Sequence, residues 1–349
     1  MKFQVPLFKA GEQPSFVRKS DRPRNAATTL FRWVYLLCCV LLVCGVQVAL
    51  AADSPAAAAD SAKTVRLLSI GNSFSRNATR YLDDLVDAGG HTLIHQPIIV
   101  GGASLELHAT KAQTHQRDPA DAAGLYADGL SLQQQLAAER WDYVTIQQAS
   151  IKSHDLATYR PFATRLRDVI RQHAPQAKLL VHQTWAYRCD DPRFTKPSGQ
   201  PGEPATQEAM YRGLTNAYRT TARELGAGLL PVGDAFFLAD SDPQWGYRAD
   251  ARFDSATAQA PALPDQSRSL HVGWRWQKQA DGSQRLGMDG HHANAAGEYL
   301  GACVWYEVLF GDSVVGNSFI PPGIAPDYAR FLQETAHRAV ASLPVAAQP

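Results

Sequence analysis

One short segment carries a serine in a setting suited to nucleophilic chemistry. It reads Gly71-Asn72-Ser73-Phe74-Ser75-Arg76-Asn77, after the aliphatic run VRLLSI and before a helical pattern. A serine at a strand-to-helix turn stands at the carboxyl edge of a sheet, beside backbone N–H groups that could stabilise an oxyanion. Ser73 is therefore a candidate nucleophile. The alternative is that Ser73, Ser75 and Asn77 only cap the helix.

A second segment, near the other end of the chain, offers an acid–base pair. It reads Gly287-Met288-Asp289-Gly290-His291-His292-Ala293-Asn294, directly before the helical run AAGEYLGACVWYEVLF. An aspartate three residues before a histidine on a loop can hold the imidazole in the tautomer that accepts a hydroxyl proton. The spacing favours His292, not His291, as the base and Asp289 as its orienter. The same pattern is also typical of a capping turn with exposed histidines.

Composition limits the classes of protein that this chain can be. It has 349 residues, of which 45% are hydrophobic and 19% charged, so we predict a single globular domain over residues 64–345. The first 51 residues hold seven basic and two acidic side chains, and the remainder holds 27 and 31, a net charge of −4. That balance gives no electrostatic footprint for nucleic acid, which we exclude as a partner.

The N-terminal region is typical of an export signal. Residues 33–50 are apolar and uncharged, and Ala49-Leu50-Ala51 fits cleavage after Ala51, which would leave 52–63 as a flexible linker. The alternatives are an uncleaved membrane anchor or lipid attachment at Cys44. In each case we expect a periplasmic or secreted domain that contacts the membrane only through this segment. Basic residues precede the apolar run at Arg18, Lys19, Arg22, Arg24 and Arg32.

Two cysteines, Cys189 and Cys303, lie beyond the apolar run. They could pair in an oxidising compartment, or Cys303 could be a buried free thiol in its apolar helical segment. The sequence contains no CxxC pattern for zinc.

Alternating strand and helix patterns predict a parallel, flavodoxin-like sheet of five strands that is covered on both faces. Three long segments, 110–130, 186–205 and 240–288, lie between elements, and the last should contain a hairpin near 270–287. The predicted strands are 65–70, 92–99, 142–147, 178–183 and 228–232, and the predicted helices are 77–88, 131–139, 156–173, 206–225, 293–310 and 326–343.

Together the motifs resemble the SGNH hydrolase superfamily, also called the GDSL esterase/lipase group. There the nucleophile follows the first strand in a G-D/N-S turn, and a D-x-x-H element precedes the last helix. GNSF and DGHH occupy these positions in this chain, and the resemblance spans about residues 64–311. A bacterial branch with IGNSFS, GG-x-S and HQTWAY elements is most similar; these are Ile70–Ser75, Gly101–Ser104 and His182–Tyr187. The resemblance implies a three-layer α/β/α fold and ester hydrolysis without a cofactor.

The resemblance also assigns roles to individual residues. Ser73 would be the nucleophile, His292 the base and then acid, and Asp289 its orienter, with the N–H groups of Ser73 and Gly102 facing the oxyanion. Gly101-Gly102 could instead be a simple turn. The third element departs from the usual G-x-N-D, since the chain has Ile146-Gln147-Gln148-Ala149-Ser150. We predict that the Gln148 amide, with Gln147 behind it, supplies the missing donor.

Side chains after the fourth strand are candidate substrate contacts. His182, Gln183, Trp185 and Tyr187 should overlook the cleft, where aromatic and amide groups suit a sugar ring or a polar acyl ester. The alternative is that Trp185 packs against the sheet edge. Asp234 could cap a helix or belong to the site, and the first role is preferred.

Three hypotheses for function remain. The first is an esterase acting on a small-molecule or glycan ester, and the second is a carbohydrate-binding protein with the same fold and weak catalysis. The third is a metal-dependent hydrolase using Asp289, His291, His292 and His182. It is the weakest, because adjacent histidines on a loop rarely point at one ion. The oligomeric state stays open.

Overall fold

The computed structural model describes residues 62–344. The predicted signal segment and the linker through residue 61 lie outside the described residues, as do residues 345–349. Within 62–344, no helix combines the length and apolar character that a membrane crossing requires.

The core is a five-stranded parallel sheet in the order β2-β1-β3-β4-β5, which confirms the predicted fold class. The central strands are mostly aliphatic, because both faces of the sheet are covered: Leu67, Leu68 and Val144 are fully buried. The four connections between these strands return the chain to the same end of the sheet, so all five strands are parallel and their carboxyl ends lie at one edge. The strands are β1 (Thr64–Gly71), β2 (Thr92–Ile99), β3 (Tyr143–Ile146), β4 (Lys178–His182) and β5 (Gly228–Leu230).

Helices flank the sheet in two groups. The helices are α1 (Ser73–Ala78), α2 (Leu82–Ala88), α3 (Leu105–Arg117), α4 (Leu132–Ala137), α5 (Phe162–His173), α6 (Pro192–Thr195), α7 (Gln207–Leu225), α8 (Val232–Asp240), α9 (Ala295–Phe310) and α10 (Pro326–Ala341). Helix α9 packs against α1, α2, α8 and α10, whereas α3, α4, α5 and α7 pack among themselves. Since α9 lies between the sheet and α10, nearly all of its side chains are buried, from Tyr299 to Phe310.

Three details of the predicted element order are wrong. The predicted helix 77–88 is two helices, α1 and α2. Segment 110–130, expected to be irregular, begins inside α3, whose buried face is made of Leu105, His108, Ala109 and Ala112. Small and polar residues at that spacing give a weak hydrophobic signal. The predicted helices also lack α8, which follows β5 directly, although Asp234 was interpreted as a helix cap.

An antiparallel hairpin stands beside the main sheet, where a hairpin was expected. It consists of β6 (His271–Lys278) and β7 (Gln284–Ala293), and its register pairs Gly273 with Asp289. The Asp289/His292 pair was predicted to lie on a loop. Instead it lies at the end of β7, directly before α9, so a paired strand fixes its backbone.

The long segment between α8 and β6 is fastened at both ends. At the start, the Arg248 guanidinium donates to the carbonyl oxygens of Asp240 and Asp242, at 2.9 and 3.1 Å. At the other end, Gln266 accepts from Trp274 N–H at 2.7 Å and donates to Trp274 O at 2.9 Å. Residues 249–265 lie between these two attachments.

Both cysteines among the described residues are free thiols, so the alternative of a Cys189–Cys303 disulfide is wrong. Cys303 is fully buried within α9. Burial raises the pKa of its thiol far above the usual value, which keeps this side chain an inert apolar group.

Candidate active site

The structure brings together Ser73, His292 and Asp289 from opposite ends of the chain. His292 Nε2 lies 2.9 Å from Ser73 Oγ. On the other side of the ring, His292 Nδ1 lies 3.2 and 3.1 Å from the two carboxylate oxygens of Asp289. This is the connectivity of a nucleophile, a general base and a group that orients the base.

The nucleophile stands at the carboxyl end of β1, as the first residue of α1. Asn72 caps that helix, since its Oδ1 accepts from Phe74 N–H at 2.9 Å. The same side chain donates through Nδ2 to Ala103 O at 2.8 Å, which ties the turn to the loop after β2. Gln147 completes the arrangement by donating from Nε2 to Asn72 Oδ1 at 2.8 Å. Buried side chains therefore fix Ser73 relative to Gly102.

The acid–base strand is held mainly through its carbonyl oxygens. Trp185 Nε1 donates to His291 O at 2.9 Å, and Arg188 N–H donates to Gly290 O at 2.7 Å. Gly290 has to be small, because a Cβ there would collide with the Asp191 carboxylate. The segment after β4 thus serves as the support for β7.

Asp289 is set up to remain ionised. Burial raises the pKa of its carboxyl, but hydrogen bonds from the His292 imidazole and backbone N–H, with the charges of His291 and His292, lower it more. The net effect places the pKa well below its usual value. Arg275 approaches the same carboxylate from the hairpin, with Nη2 3.7 Å from Oδ2. A carboxylate that stays charged can stabilise the imidazolium that forms when His292 takes a proton.

A cleft of about 430 Å³ opens over Ser73. Its floor near the nucleophile is formed by small residues, and Gly102 adopts a φ of 67°, which glycine accepts without strain. The lining residues are Asn72, Ser73, Phe74, Arg76, Gly101, Gly102, Ala149, Ser150, Ile151, Tyr187, His291 and His292.

Backbone groups supply the candidate oxyanion donors. Ser73 N–H is at the first position of α1, where no intrahelical acceptor exists, and Gly102 lies across the same cleft. The prediction that a glutamine amide completes the site is wrong. Gln148 Nε2 donates to Thr158 O at 2.9 Å and its Oε1 accepts from Ala149 N–H at 2.8 Å. The Gln147 amide is engaged by Asn72 and by the hydroxyl of Ser75.

The predicted substrate contacts lie below the cleft, with one exception. His182 is buried against Trp305, and its Nδ1 lies 3.4 Å from Ser75 Oγ. Gln183 donates to the Asp234 carboxylate at 2.8 Å. Trp185 is fully buried between Phe74 and Phe236. The alternative that this side chain packs in the protein interior is therefore correct. Only Tyr187 lines the cleft, with its hydroxyl 3.0 Å from Ser150 Oγ.

Asp234 belongs to the fold and not to the cleft. It lies in the first turn of α8, where its side chain caps no backbone N–H. Its carboxylate pairs with Arg219 at 2.7 Å and accepts from Tyr211 at 3.1 Å, which fastens α7 to α8.

The four-residue metal set is not assembled. Donor atoms of Asp289, His291 and His292 lie within 4.8 Å of one another, but His182 is buried beside Ser75. His292 also contacts Ser73, and Asp289 contacts the other side of the same imidazole. We therefore treat these residues as an acid–base pair.

Three residues that line the cleft were not predicted as site residues: Arg76, Ser150 and Ile151. Arg76 had a usable signal, because it lies three residues after Ser73 and so on the same face of a helix. Ser150 and Ile151 follow the third strand, where the two preceding glutamines were the predicted site residues.

One family model and several solved structures are similar to this chain. The family model described as "Domain of unknown function (DUF4886)" matches residues 66–237. A solved structure of a DUF4886 family protein from Bacteroides uniformis ATCC 8492 is 27% identical, with a TM-score of 0.60; the match covers 80% of this chain and 95% of that chain. No curated protein matches this chain.

More distant solved structures were also found. A candidate SGNH hydrolase from Slackia heliotrinireducens is 21% identical over 70% of this chain and 98% of that chain, with a TM-score of 0.42. A carbohydrate acetylesterase from Sinorhizobium meliloti is 17% identical over 49% and 85%, with a TM-score of 0.29.

Proposed function

We propose that this chain is an extracytoplasmic carbohydrate or small-acyl esterase that works through the site of a serine hydrolase. The observation that carries the proposal is the 2.9 Å contact between Ser73 Oγ and His292 Nε2, with Asp289 behind the imidazole. The extracytoplasmic location rests on the basic and apolar pattern of the N-terminal sequence.

The chemistry follows from this connectivity. His292 Nε2 takes the Ser73 proton as Oγ attacks the ester carbonyl, and the N–H groups of Ser73 and Gly102 stabilise the oxyanion. The imidazolium then gives its proton to the departing alcohol oxygen, which leaves an acyl group on Ser73. Water enters, His292 takes its proton, and the acid is released with the proton returned to Ser73.

The shape of the cleft supports a small acyl group. Gly101, Gly102, Ala149 and Ser150 leave room beside Ser73, while the total volume is only about 430 Å³. That is at the small end of ligand sites, which span about 300–1,000 Å³. Tyr187 and Ser150 add hydroxyl groups that suit a hydroxylated alcohol such as a sugar.

The test is hydrolysis of 4-nitrophenyl acetate by the purified protein and three variants. Ser73→Ala and His292→Ala should each lose at least about 10³-fold in kcat/KM, because each removes a reacting group. Ser255→Ala, an exposed serine far along the chain, is the matched control and should retain wild-type turnover. Circular dichroism should show all variants folded, and EDTA should leave the rate unchanged if no metal takes part.

A binding protein with weak catalysis is the second candidate, favoured by one observation. Neither Gln147 nor Gln148 offers an amide to the oxyanion, so this site depends on backbone donors. A fluorophosphonate probe separates the two functions, since only an activated serine is labelled. An adduct on Ser73 supports the esterase; no adduct and no turnover would favour the binding protein.

A further inference from the structure

The cleft has an asymmetry of charge. Among its lining residues, Arg76 is the one that carries a permanent charge, since a guanidinium does not lose its proton in proteins. It stands on α1 three residues after Ser73, so its side chain leaves the helix on the same face as the nucleophile. The side chain is exposed.

Other cations around the cleft are neutralised by carboxylates. Arg193, which lies over the Tyr187 ring, pairs with Glu203 at 2.6 Å. Lys152, adjacent to Ile151, pairs with Glu106 at 3.4 Å, and Arg275 lies 3.7 Å from Asp289. Within residues 62–344, by contrast, the Arg76 guanidinium has no ion pair, side-chain hydrogen bond or ring contact.

The remainder of the lining reinforces this asymmetry. It includes no aspartate or glutamate among the described residues, and the nearby Asp289 carboxylate lies behind the imidazole of His292. Burial lowers the pKa of His291, which makes that ring a weak source of charge beside the fixed charge of Arg76. Ile151, with 51% of its surface exposed, gives the cleft an apolar contact but no counter-charge.

We propose that Arg76 binds an anionic group of the substrate, so that the preferred esters are those of carboxylate-bearing alcohols such as acylated sugar acids. This inference rests on the proposed esterase function and specifies its substrate class. The guanidinium presents a planar set of donors that matches a carboxylate, and its position one helical turn from Ser73 holds the ester over the nucleophile.

A pair of matched esters tests this inference. The substrates are 3-carboxyphenyl acetate and 3-carbamoylphenyl acetate, which differ in charge but little in shape, with each rate divided by the uncatalysed rate. The wild type should prefer the carboxylate about tenfold in kcat/KM, the scale of one partly exposed charge-assisted hydrogen bond. The preference should decrease as salt is added.

Substitutions at Arg76 assign the preference to that side chain. Arg76→Ala should bring the ratio of the two substrates close to one, Arg76→Glu should reverse it, and Arg76→Lys should keep part of it. Arg80→Ala is the matched control, because Arg80 lies one turn further along, over the Tyr81 ring and outside the cleft lining. It should keep the wild-type ratio.

Three results would overturn the inference. They are equal rates on both esters in the wild type, a preference that survives Arg76→Ala, and a preference lost equally in Arg80→Ala. Each of these would leave the esterase function standing. Failure to hydrolyse either ester, together with no fluorophosphonate adduct on Ser73, would instead overturn the esterase function itself.

Discussion

The nucleophile turn and the acid–base strand meet at the same cleft but are held in different ways. The turn around Ser73 depends on side chains, because Gln147 and Asn72 form a buried relay that reaches the loop of Gly102. The end of β7 depends on hydrogen bonds to its own backbone, from Trp185 and from Arg188 N–H. The turn thus depends on its own side chains, whereas the end of β7 depends on donors to its backbone, one of which is the Trp185 indole.

This difference implies different sensitivities to substitution. A side-chain relay fails when one member is changed, because the partner left behind is buried and unpaired. The carbonyl acceptors of β7 are kept by most substitutions within β7, so this strand should tolerate changes outside the reacting groups and Gly290. We therefore expect the largest losses of rate at the reacting groups, smaller losses at the relay, and the smallest at Trp185.

The largest effect is expected at Asp289 itself. Asp289→Asn removes the negative charge that orients and stabilises His292, and should lower kcat/KM by about 10²- to 10⁴-fold. Steady-state kinetics on 4-nitrophenyl acetate measures it. Arg275→Ala removes a neighbour of the same carboxylate and should change the rate by less than about threefold, as expected for a partly exposed pair. Equal losses in both variants would mean that Arg275 belongs to the reacting unit.

Gln147 tests the relay on the nucleophile side. An ionised glutamate there cannot donate to Asn72 Oδ1, so Gln147→Glu should lower kcat at alkaline pH by about 10- to 100-fold with KM little changed. This is less than the roughly 10²- to 10³-fold cost of a lost oxyanion donor, because Gln147 only positions the turn. A protonated glutamate can donate again. The ratio of variant to wild-type kcat should therefore rise as pH falls.

That pH signature distinguishes positioning from a general loss of structure. His182 approaches the relay through Ser75, but burial lowers its pKa to about 3, so it stays neutral between pH 5 and 9 and does not confuse the profile. A ratio that does not change with pH would contradict the relay, as would an effect on KM alone.

Trp185 tests the support of the acid–base strand. Trp185→Phe leaves His291 O without its donor, while the hydrogen bond from Arg188 N–H to Gly290 O remains. We expect a loss of about 1–3 kcal/mol in the free energy of unfolding, the cost of an unpaired buried acceptor, and only about a fivefold loss in kcat. Urea unfolding and kinetics measure the two quantities. A larger loss of kcat in Trp185→Phe than in Gln147→Glu would show that the acid–base strand is the more sensitive half of the site.

The smallest effect at neutral pH is expected for two buried histidines, one near the relay and one below the hairpin. Burial lowers the pKa of His182 to about 3 and that of His271, below the hairpin, to about 4. Below pH 6.5 these histidines bind protons in the unfolded chain but stay neutral in the folded chain. The free energy of unfolding should therefore fall as the pH decreases from 6.5 to 4.

Replacing either histidine by glutamine removes one titrating group. His182→Gln and His271→Gln should each make the pH dependence of unfolding shallower by about 1.4 kcal/mol per pH unit, the value for one proton. Urea unfolding at a series of pH values measures this slope. Unchanged slopes in both variants would show that other groups dominate acid unfolding.

The central strands could be predicted from sequence because they are buried on both faces. The mostly aliphatic run 65–70 is an example, and β1 extends it by one residue at each end. Helix α3 could not be predicted in the same way, since alanine and histidine form much of its buried face. The hairpin was found from its turn residues, whereas the inclusion of Asp289 in β7 depends on pairing with Gly273, which no local pattern records.

At the site, spacing predicted which groups meet but not which way the other polar residues point. Ser73, Asp289 and His292 lie together because β1 ends, and α9 begins, at the same edge of the sheet. Gln148 and Gln183 also follow strands at that edge, yet both are paired with protein groups. A buried amide looks the same in sequence whether its partner is a substrate or a neighbouring side chain.

The two attachments that bracket residues 249–265 have an evolutionary consequence. Since Arg248 and Gln266 fix the entry and exit of this segment, its length and composition can change without displacing β6, and hence without moving Asp289 or His292. We expect natural insertions and deletions to concentrate between these two residues. The same boundaries are the natural junctions for grafting a different loop onto this fold.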